Sequence, residues 1–437
     1  MHDCGTHGTA VLNRRGLLNV AGLAGVSWLT PLGSLLAQQQ DRAEKAGDRR
    51  PAQSVILLWM AGGPSQLETF DPHPGASIAE GTQAIDTAVK GVQLAAGYER
   101  LAAEMESVSL VRSLTSKEGD HERGTYNVKT GYRPDPTAVH PSIGAILCHQ
   151  LPAKVTAEGA TFSTDIPRHV SILPNQWPGR GGFLGDQFDA FKTWDPIQAV
   201  PDVTARVSPE RTAQRVSDLA VVERAFARGR LRQTEATLHR DTVQAARTMM
   251  TSSQIKAFDV RDESKALRDA YGDTAFGRGC LAARRLIEVG VRCVEVTLDG
   301  WDSHAKNHEI CARQAGILDA GFASLIRDLR ERKLLERTVV VCVGEFGRTP
   351  KMNGVGGRDH WPHNFSLAIA GGGLAGGRVV GQTDPEGGKE VKDPVKIGDV
   401  HATILASLGV DHKQENISPV QRPIRLAEGE PIAALQG

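Results

Sequence analysis

Ionisable side chains are concentrated between Thr338 and His363. This stretch begins with the apolar run Thr-Val-Val-Val-Cys-Val, and a short glycine-rich loop interrupts its polar part. Its carboxylates, arginines and histidines are Glu345, Arg348, Arg358, Asp359, His360 and His363. Carboxylates and imidazoles so close together are typical of a metal or catalytic site. An ordered surface loop with one ion pair is the alternative, and it explains fewer of these residues.

A second cluster consists of Asp302 and His304, which follow the apolar segment Val291–Leu298. An Asp-x-His pair can offer an oxygen and a nitrogen to the same ion, and mixed ligands of this kind suit zinc or manganese. The pair is a weak signal alone, because it arises easily by chance. Together, the two clusters predict a site for one or two divalent ions.

Three apolar runs predict the strands that position these clusters. Ser54–Met60 and Thr338–Val343 are continuous runs, as in strands buried on both faces of a parallel sheet, and Val291–Leu298 is also predicted as a strand. Apolar residues at three- and four-residue steps between Ile317 and Leu329 predict a helix before the last strand. A strand–helix–strand unit of this kind makes its strands parallel. Both clusters then lie beyond the carboxyl ends of strands, where ligands bind in open α/β sheets.

Two further segments place polar groups near predicted strands. The first strand is followed by a glycine turn and then by Glu68. His121 precedes a predicted short helix, whose free N–H groups and positive dipole end favour an anion. The alternative for the segment with Glu68 is a loop that only forms a turn. The alternative for His121 is a residue that only caps the helix.

Composition excludes some classes of function. The 51 Lys and Arg residues balance the 51 Asp and Glu residues, which gives no support for nucleic acid as a partner. Beyond the N-terminal segment, no apolar run approaches the length of a membrane-spanning helix. The cysteines show no Cys-x-x-Cys spacing and are expected in the core.

The N-terminal segment predicts export. Arg14 and Arg15 precede a mildly apolar run to about Ala37, which is typical of a twin-arginine signal peptide over residues 1–37. A chance Arg-Arg pair before an ordinary helix is the alternative. The signal implies the twin-arginine export machinery as a partner, a periplasmic or extracellular location, and no stable membrane span after cleavage.

The remaining chain is expected to form one domain. Residues 38–53 are polar and predict a linker. Residues 54–437 then form a single α/β domain, with a loop insertion at about 153–207 that could border a substrate cleft. A helical segment at about 208–290 follows, to which we attach no function.

Several motifs together resemble the exported domain-of-unknown-function 1501 family. The most specific are Gly-Glu-Phe-Gly-Arg-Thr at 344–349 and Gly-Arg-Asp-His-Trp-Pro at 357–362, and the resemblance covers nearly the whole mature chain. That family is similar in fold to the alkaline phosphatase and sulfatase superfamily. The resemblance implies a three-layer sandwich with a mostly parallel central sheet, and metal-dependent chemistry on phosphate or sulfate esters.

The resemblance also implies roles for individual residues. His121 stands where sulfatases carry their cysteine nucleophile, so ordinary sulfatase chemistry is disfavoured. His121 as nucleophile or general acid, Thr125 as a displaced nucleophile, and a metal-bound hydroxide stay open, and we favour the last. Arg348 or Arg358 would bind the anion, since a planar guanidinium meets two oxygens at once. The implied metal ligands are Glu68, Asp302, His304, Glu345, Asp359, His360 and His363.

These observations predict a metal-dependent hydrolase of phosphate or sulfate esters in the cell envelope. Its substrate would be an anionic small-molecule or glycan ester. The alternative is a catalytically silent protein that binds anionic glycans or serves as an envelope scaffold.

Overall fold

The structure is a computed structural model that describes residues 51–151, 154–157, 160–230, 237–384 and 391–436. The predicted signal peptide at 1–37 and the linker up to residue 50 lie outside the described residues. The described residues belong to one compact unit, Pro51–Gly437.

A nine-stranded sheet lies at the centre of the fold. Its strands, in chain order, are β1 Ser54–Ala61, β2 Val108–Thr115, β3 His169–Ile172, β4 Phe191–Thr193, β5 Cys293–Asp299, β6 Thr338–Val343, β7 Phe365–Gly371, β8 Val379–Val380 and β9 Val395–Lys396. Their spatial order is β8-β2-β7-β6-β1-β5-β3-β4, and β9 also pairs with β2. Strand β7 is antiparallel to β6 and β2, whereas the other pairings described for this sheet are parallel.

Nine α-helices accompany the sheet in the described residues. They are α1 Glu99–Ala103, α2 His121–Thr130, α3 Ile143–Gln150, α4 Pro209–Ala227, α5 His239–Thr251, α6 Lys265–Tyr271, α7 Ala275–Glu288, α8 Asn307–Glu331 and α9 Ile397–Ser407. Short 3-10 helices span Ser77–Ala79, Met105–Ser107, Gly182–Leu184, Asp186–Phe188, Ser253–Phe258, Leu335–Arg337 and Ala433–Leu435.

Strand β1 shows how the layers are formed. All eight of its residues are buried, and successive side chains point to opposite faces of the sheet. Ile56 and Leu58 join a core with residues of α7 and α8, while Leu57 and Trp59 join a second core with residues of α3 and α9. The sheet is therefore covered on both faces, which explains why the apolar run is unbroken.

The predicted fold class is confirmed, because the chain is α/β with a mostly parallel central sheet between two helical layers. Strands β5 and β6 are parallel, as the predicted crossover requires. They do not pair with each other, because β1 lies between them and pairs with both.

The segment at about 153–207 is more than a loop insertion. It supplies β3 and β4, which extend the central sheet beyond β5. These strands are only four and three residues long, so they produce no apolar run that distinguishes them from loops. Helices α4, α5, α6 and α7 lie in the segment that the sequence predicts as helical.

Small two-stranded ribbons complete the structure. They pair Ala84–Asp86 with Gln93–Ala95, Lys154–Ala157 with Ala160–Ser163, Gly347–Arg348 with His360–Trp361, Gln382–Thr383 with Val391–Lys392, and Glu415–Ile417 with Pro423–Arg425. Among the described helices, none combines the length and the apolar character needed to cross a bilayer. The cysteines of the described residues are buried and unpaired.

Candidate metal centre

Four segments meet beyond the carboxyl ends of β1, β5 and β6. Helix α2 supplies His121 as its first residue, and the loop after β5 supplies Asp302 and His304. Glu345 follows β6 by two residues, and His360 lies in the ribbon that pairs Gly347–Arg348 with His360–Trp361. Parallel strands β1, β5 and β6 end at one edge of the sheet, so these segments converge there.

The start of α2 is fixed by a helix cap. Asp120 accepts hydrogen bonds from the backbone N–H groups of Glu122 and Arg123, at 3.0 and 3.1 Å. These bonds satisfy two of the N–H groups that a helix otherwise leaves without partners at its N-terminus. The cap therefore holds His121 at a defined place beside the site.

Two glycines after β1 allow the segments to approach closely. Gly62 has a φ of 111°, and its N–H donates to Glu345 Oε1 at 2.9 Å. A Cβ at Gly62 would lie 2.5 Å from the backbone nitrogen of Asp302, and one at Gly63 would lie 2.4 Å from the Phe346 ring. The close approach at the end of β1 therefore requires glycine at both positions.

His121, His360 and Asp302 place one potential ligand atom each within 4.8 Å of the others. His304 extends this group, because its Nε2 lies 3.0 Å from His360 Nε2 and 3.3 Å from Asp302 Oδ1. We refer to His121, Asp302, His304 and His360 as the 3His-Asp cluster. Asp302 and His304 are about half exposed, so the cluster is open to solvent.

The other ring nitrogen of each histidine has a hydrogen-bond acceptor. Nδ1 of His121 lies 2.8 Å from Glu345 Oε1, and Nδ1 of His304 lies 2.7 Å from Asp359 Oδ1. Nδ1 of His360 lies 2.8 Å from the carbonyl oxygen of Gly119. Ligand histidines in metalloproteins commonly donate their second N–H to a carboxylate or carbonyl in this way.

These acceptors determine the tautomers. A carbonyl oxygen and an ionised carboxylate only accept hydrogen bonds, so the proton of each neutral ring lies on Nδ1. Nε2 then carries a lone pair in His121, His304 and His360. The lone pairs of His304 and His360 face each other at 3.0 Å, an arrangement that a cation between or beside them would stabilise.

Charges around the 3His-Asp cluster are complementary. The hydrogen bond to Glu345 raises the pKa of His121. Burial tends to raise the pKa of Asp302, but the hydrogen bond and charge of Arg348 outweigh it and hold that pKa below its ordinary value. Burial lowers the pKa of His360, helped by the positive charge of Arg348. The hydrogen bond from His304 lowers the pKa of Asp359.

Arg348 orients Asp302 and has few donors left for a ligand. Its guanidinium is fully buried and donates to Asp302 Oδ1 at 2.5 Å. It also donates to the carbonyl oxygens of Gly63 and Arg358, at 2.7 and 3.0 Å, and to that of Gly62. The expected role of Arg348 in binding an anion at two oxygens conflicts with this geometry.

Arg358 and Glu68 form a buried ion pair. Arg358 is fully buried, and its Nη2 lies 2.9 Å from Glu68 Oε1. Its other hydrogen bonds go to the carbonyl oxygens of Ile78, Thr349 and Pro350. The structure thus places Arg358 against loop carbonyls and against Glu68, and it places Glu68 beside Arg358, outside the group of His121, Asp302, His304 and His360.

Three other predicted ligands also take different places. Glu345 and Asp359 lie behind the cluster, where they hold His121 and His304 at Nδ1. His363 is exposed, and its ring packs on Trp361 at a centroid distance of 4.8 Å.

Some contributors could not be identified from residue type. The carbonyl of Gly119 fixes the His360 ring, and the Phe346 ring lies 5.1 Å from the ring of His121 and 4.3 Å from that of His360. A backbone carbonyl has no signature in the sequence. Phe346 does lie inside the Gly-Glu-Phe-Gly-Arg-Thr motif, which is a signal that could have identified it.

Comparison with solved structures finds distant matches of low sequence identity. The complex of Ps i-CgsB with k-i-k-neocarrahexaose is 9% identical, with a TM-score of 0.41 over 87% of this chain and 75% of that chain. The lipoteichoic acid synthase LtaP from Listeria monocytogenes is 10% identical, with a TM-score of 0.38 over 82% and 72%. A protein in the alkaline phosphatase superfamily from Vibrio parahaemolyticus is 11% identical, with a TM-score of 0.36 over 84% and 68%. At this identity the likeness concerns the fold alone.

Sequence comparison identifies the family. No curated protein matches the chain significantly. The model of the family described as protein of unknown function (DUF1501) matches residues 52–435, in agreement with the resemblance of the motifs, and the chain therefore belongs to this family.

Proposed function

We propose that His121, His304, His360 and Asp302 hold one divalent metal ion. The observation that carries this proposal is the facing pair of Nε2 atoms of His304 and His360, 3.0 Å apart, with both Nδ1 atoms already bound to acceptors. Two lone pairs at this distance repel each other unless a cation neutralises them. A metal ion supplies that cation at neutral pH without protonating either ring.

The donor set favours zinc. Imidazole nitrogen suits zinc, whereas manganese prefers oxygen ligands. Three nitrogens and one carboxylate oxygen also match the ligand types that zinc takes. When bound, such an ion supplies Lewis-acid polarisation of an ester oxygen and lowers the pKa of water.

The surrounding residues would prepare the four ligands. Glu345 and Asp359 keep the protons of His121 and His304 on Nδ1, which directs the Nε2 lone pairs into the cluster. Arg348 orients the Asp302 carboxylate by donating to Oδ1, which lies 3.3 Å from His304 Nε2, while Oδ2 lies 3.6 Å from His121 Nε2. In this proposal His121 is a ligand and no longer a nucleophile or general acid.

A metal-dependent hydrolase of phosphate or sulfate esters is the function that this cluster supports best. Half-exposed Asp302 and His304 leave room for an ester to approach from solvent. The Arg-Arg signal at Arg14 and Arg15 supports export by the twin-arginine route and activity in the cell envelope. Membership of the DUF1501 family is compatible with this proposal and names no reaction.

One observation favours the second candidate, a catalytically silent binder of anionic glycans or an envelope scaffold. Both arginines expected to bind the anion, Arg348 and Arg358, are fully buried and donate chiefly to protein oxygens. If Arg348 and Arg358 keep these contacts and no other guanidinium of the described residues reaches the 3His-Asp cluster, the developing charge of a phosphoryl or sulfuryl group would depend on the ion alone.

Turnover of aryl phosphate and aryl sulfate esters by the zinc-loaded protein tests the proposal. We expect hydrolysis that is lost with a chelator and restored by zinc. Asp302→Asn should reduce turnover by at least about a hundredfold, because it removes the charge of a ligand.

Asp299→Asn is the matched control, since Asp299 is the last residue of β5, the strand that precedes Asp302. Among the described residues, its side chain accepts only from the N–H of Gly300. It should retain most of the activity. Absence of turnover across the panel, in protein that carries its full complement of zinc, would contradict the hydrolase and favour the binder.

A further inference from the structure

A second cavity begins one helical turn from the 3His-Asp cluster. It has a volume of about 430 Å³ and lies between α2 and the segment at 176–180. Glu122, Thr125 and Lys129 line it from α2 at helical spacing. Thr125 follows His121 by four residues, which corresponds to a rise of about 6 Å along the helix. We refer to this cavity as the α2 pocket.

The opposite wall of the α2 pocket is fixed by buried charges. Lys129 Nζ donates to the carbonyl oxygen of Trp177 at 2.8 Å and to Glu295 Oε2 at 3.0 Å. The N–H of Gly179 donates to the same Glu295 oxygen at 3.1 Å. Lys129 and Glu295 are almost fully buried, so these bonds hold the segment at 176–180 against α2 and β5. The pocket is therefore formed before any ligand binds.

Several polar groups of the α2 pocket lack partners. Thr125 is buried, with only 1% of its surface exposed. Its Oγ1 has no hydrogen-bond partner among the described residues. The side chains of Glu122, Gln176 and Arg180 also line the pocket, and within the described part of the chain they make no hydrogen bond or ion pair. Glu122, Gln176 and Arg180 are exposed, so their polar groups can contact a ligand that enters the pocket from solvent.

The combination of groups indicates the chemistry of the ligand. Trp177 offers the flat apolar surface of an indole, while the amide of Gln176 and the carboxylate of Glu122 can exchange hydrogen bonds with several hydroxyls. Arg180 adds a free guanidinium, which prefers a carboxylate or another planar anion. A sugar ring presents an apolar face and a rim of hydroxyls, and an acidic sugar adds the anion. The volume lies within the usual range of about 300–1,000 Å³ for small-molecule sites.

We infer that the α2 pocket binds an acidic sugar, and that this sugar is the alcohol portion of the ester acted on at the 3His-Asp cluster. The second part of this inference rests on the proposed hydrolase function. In this assignment Arg180 recognises the carboxylate of the sugar. Arg180 would thus determine specificity for acidic over neutral glycans.

Binding of sugars without an ester group tests the pocket separately from catalysis. Calorimetry with chelator-treated protein would compare oligosaccharides of galacturonate, glucuronate and mannuronate with neutral maltotetraose. We expect at least one uronate to bind more tightly than maltotetraose. Arg180→Met should weaken that binding tenfold or more, because it removes the guanidinium and keeps a side chain of similar length.

Arg215→Met is the matched control, since Arg215 is an exposed arginine on α4 outside the pocket, and it should bind like the unchanged protein. Failure of every uronate to bind, or equal binding by the Arg180 variant, would overturn the inference. Uronate binding without turnover of any ester would instead contradict the proposed hydrolase, and would leave a glycan-binding pocket.

With zinc-loaded protein, kinetics test the link between the two sites. Arg180→Met should raise KM for uronate esters with little change in kcat, and should leave small aryl esters unaffected. Equal KM values for uronate esters in the unchanged protein and in Arg180→Met would contradict the inference that the α2 pocket binds the sugar portion of the substrate.

Discussion

Each histidine of the 3His-Asp cluster depends on a neighbour that holds its second nitrogen. Asp359 is the most accessible of these neighbours, because it lies in an exposed loop and accepts from His304 Nδ1 at 2.7 Å. Asp359→Ala should therefore weaken zinc binding by about 10- to 100-fold, the usual effect of removing a group behind a metal ligand. Titration of zinc against a competing chelator measures this change.

The stoichiometry in the Asp359 variant should stay at one ion, since the four ligands remain. Asp262→Ala, at another exposed carboxylate, serves as the control and should leave the affinity unchanged. Unchanged affinity in Asp359→Ala would contradict the role assigned to Asp359. Loss of the ion altogether would show that Asp359 is itself a ligand, as the sequence resemblance implied.

Arg358 is expected to contribute to stability because it forms a buried ion pair with Glu68. Arg358→Met leaves the Glu68 carboxylate buried without its counter-ion, and such changes typically cost about 3–5 kcal/mol of unfolding free energy. Denaturant unfolding measures the loss, and the double change Arg358→Met with Glu68→Gln should recover part of it.

Arg206→Met provides the comparison, since its pair with Asp202 is exposed and should contribute less than about 1 kcal/mol. If Arg358→Met kept full stability but abolished anion binding, the sequence-based role of Arg358 as an anion ligand would be restored.

At the residue scale, the sequence predicted which side chains gather but not their order around the site. Asp302, His304 and His360 were expected as ligands and lie in the cluster. Glu345 and Asp359 were expected beside them, yet they contact the histidines from behind. A carboxylate can bind either an ion or an imidazole N–H. Sequence spacing does not distinguish these two arrangements, whereas side-chain direction does.

Helix α2 is held by α9 as well as by its cap. His401 of α9 is buried, and its Nε2–H donates to the carbonyl oxygen of Val128 at 2.8 Å, near the end of α2. A Cβ on Gly131, where α2 ends, would lie 3.0 Å from the His401 ring. Burial lowers the pKa of His401 to about 4 from its ordinary value of 6.5, so the folded protein keeps this ring neutral at pH 5.

The difference between the pKa of His401 in the folded protein and its ordinary value predicts a loss of stability in mild acid. Between the two pKa values the unfolded chain binds a proton that the folded protein excludes, so stability falls as pH decreases from 6.5 towards 4. From pH 7 to pH 5 the contribution of His401 should be a loss of about 2 kcal/mol. His401→Gln keeps an N–H donor without the charge, and should reduce the acid sensitivity by that amount.

Denaturant unfolding of both proteins at pH 7 and pH 5 measures the effect. His149→Gln on α3 is the control, because His149 is exposed and its replacement should leave the acid sensitivity as it is. Equal loss of stability in the His401 variant and the unchanged protein would contradict the proposed titration.

At the element scale, strands and helices with many apolar residues were predicted from the sequence, whereas short strands with few apolar residues were missed. Strands β1, β5 and β6 and helix α8 were predicted because burial on both faces, or on one helical face, requires many consecutive apolar positions. Strands β3 and β4 were missed because short strands near the sheet edge need few apolar residues.

At the scale of the whole molecule, the parallel sheet brings distant segments of the chain to one edge. Helix α2, the loop after β5 and the ribbon containing His360 contribute the residues of the 3His-Asp cluster, and they are far apart in sequence. An ion held by all of them would bind the folded chain only, and would stabilise it by about 2.7 kcal/mol at a hundredfold excess over Kd. This topology was predictable, because parallel strands place their carboxyl ends together.

We propose that the 3His-Asp cluster holds a divalent ion, and elemental analysis of the purified protein would detect that ion. If the cluster binds one zinc ion, we expect close to one equivalent of zinc per chain. The double change Asp302→Ala with His304→Ala should remove it, whereas Asp262→Ala with His149→Ala, the same residue types at exposed positions, should retain it. The unchanged protein should be purified without chelators and then offered zinc. If it then carries no metal above background, the proposed metal site in the 3His-Asp cluster is contradicted.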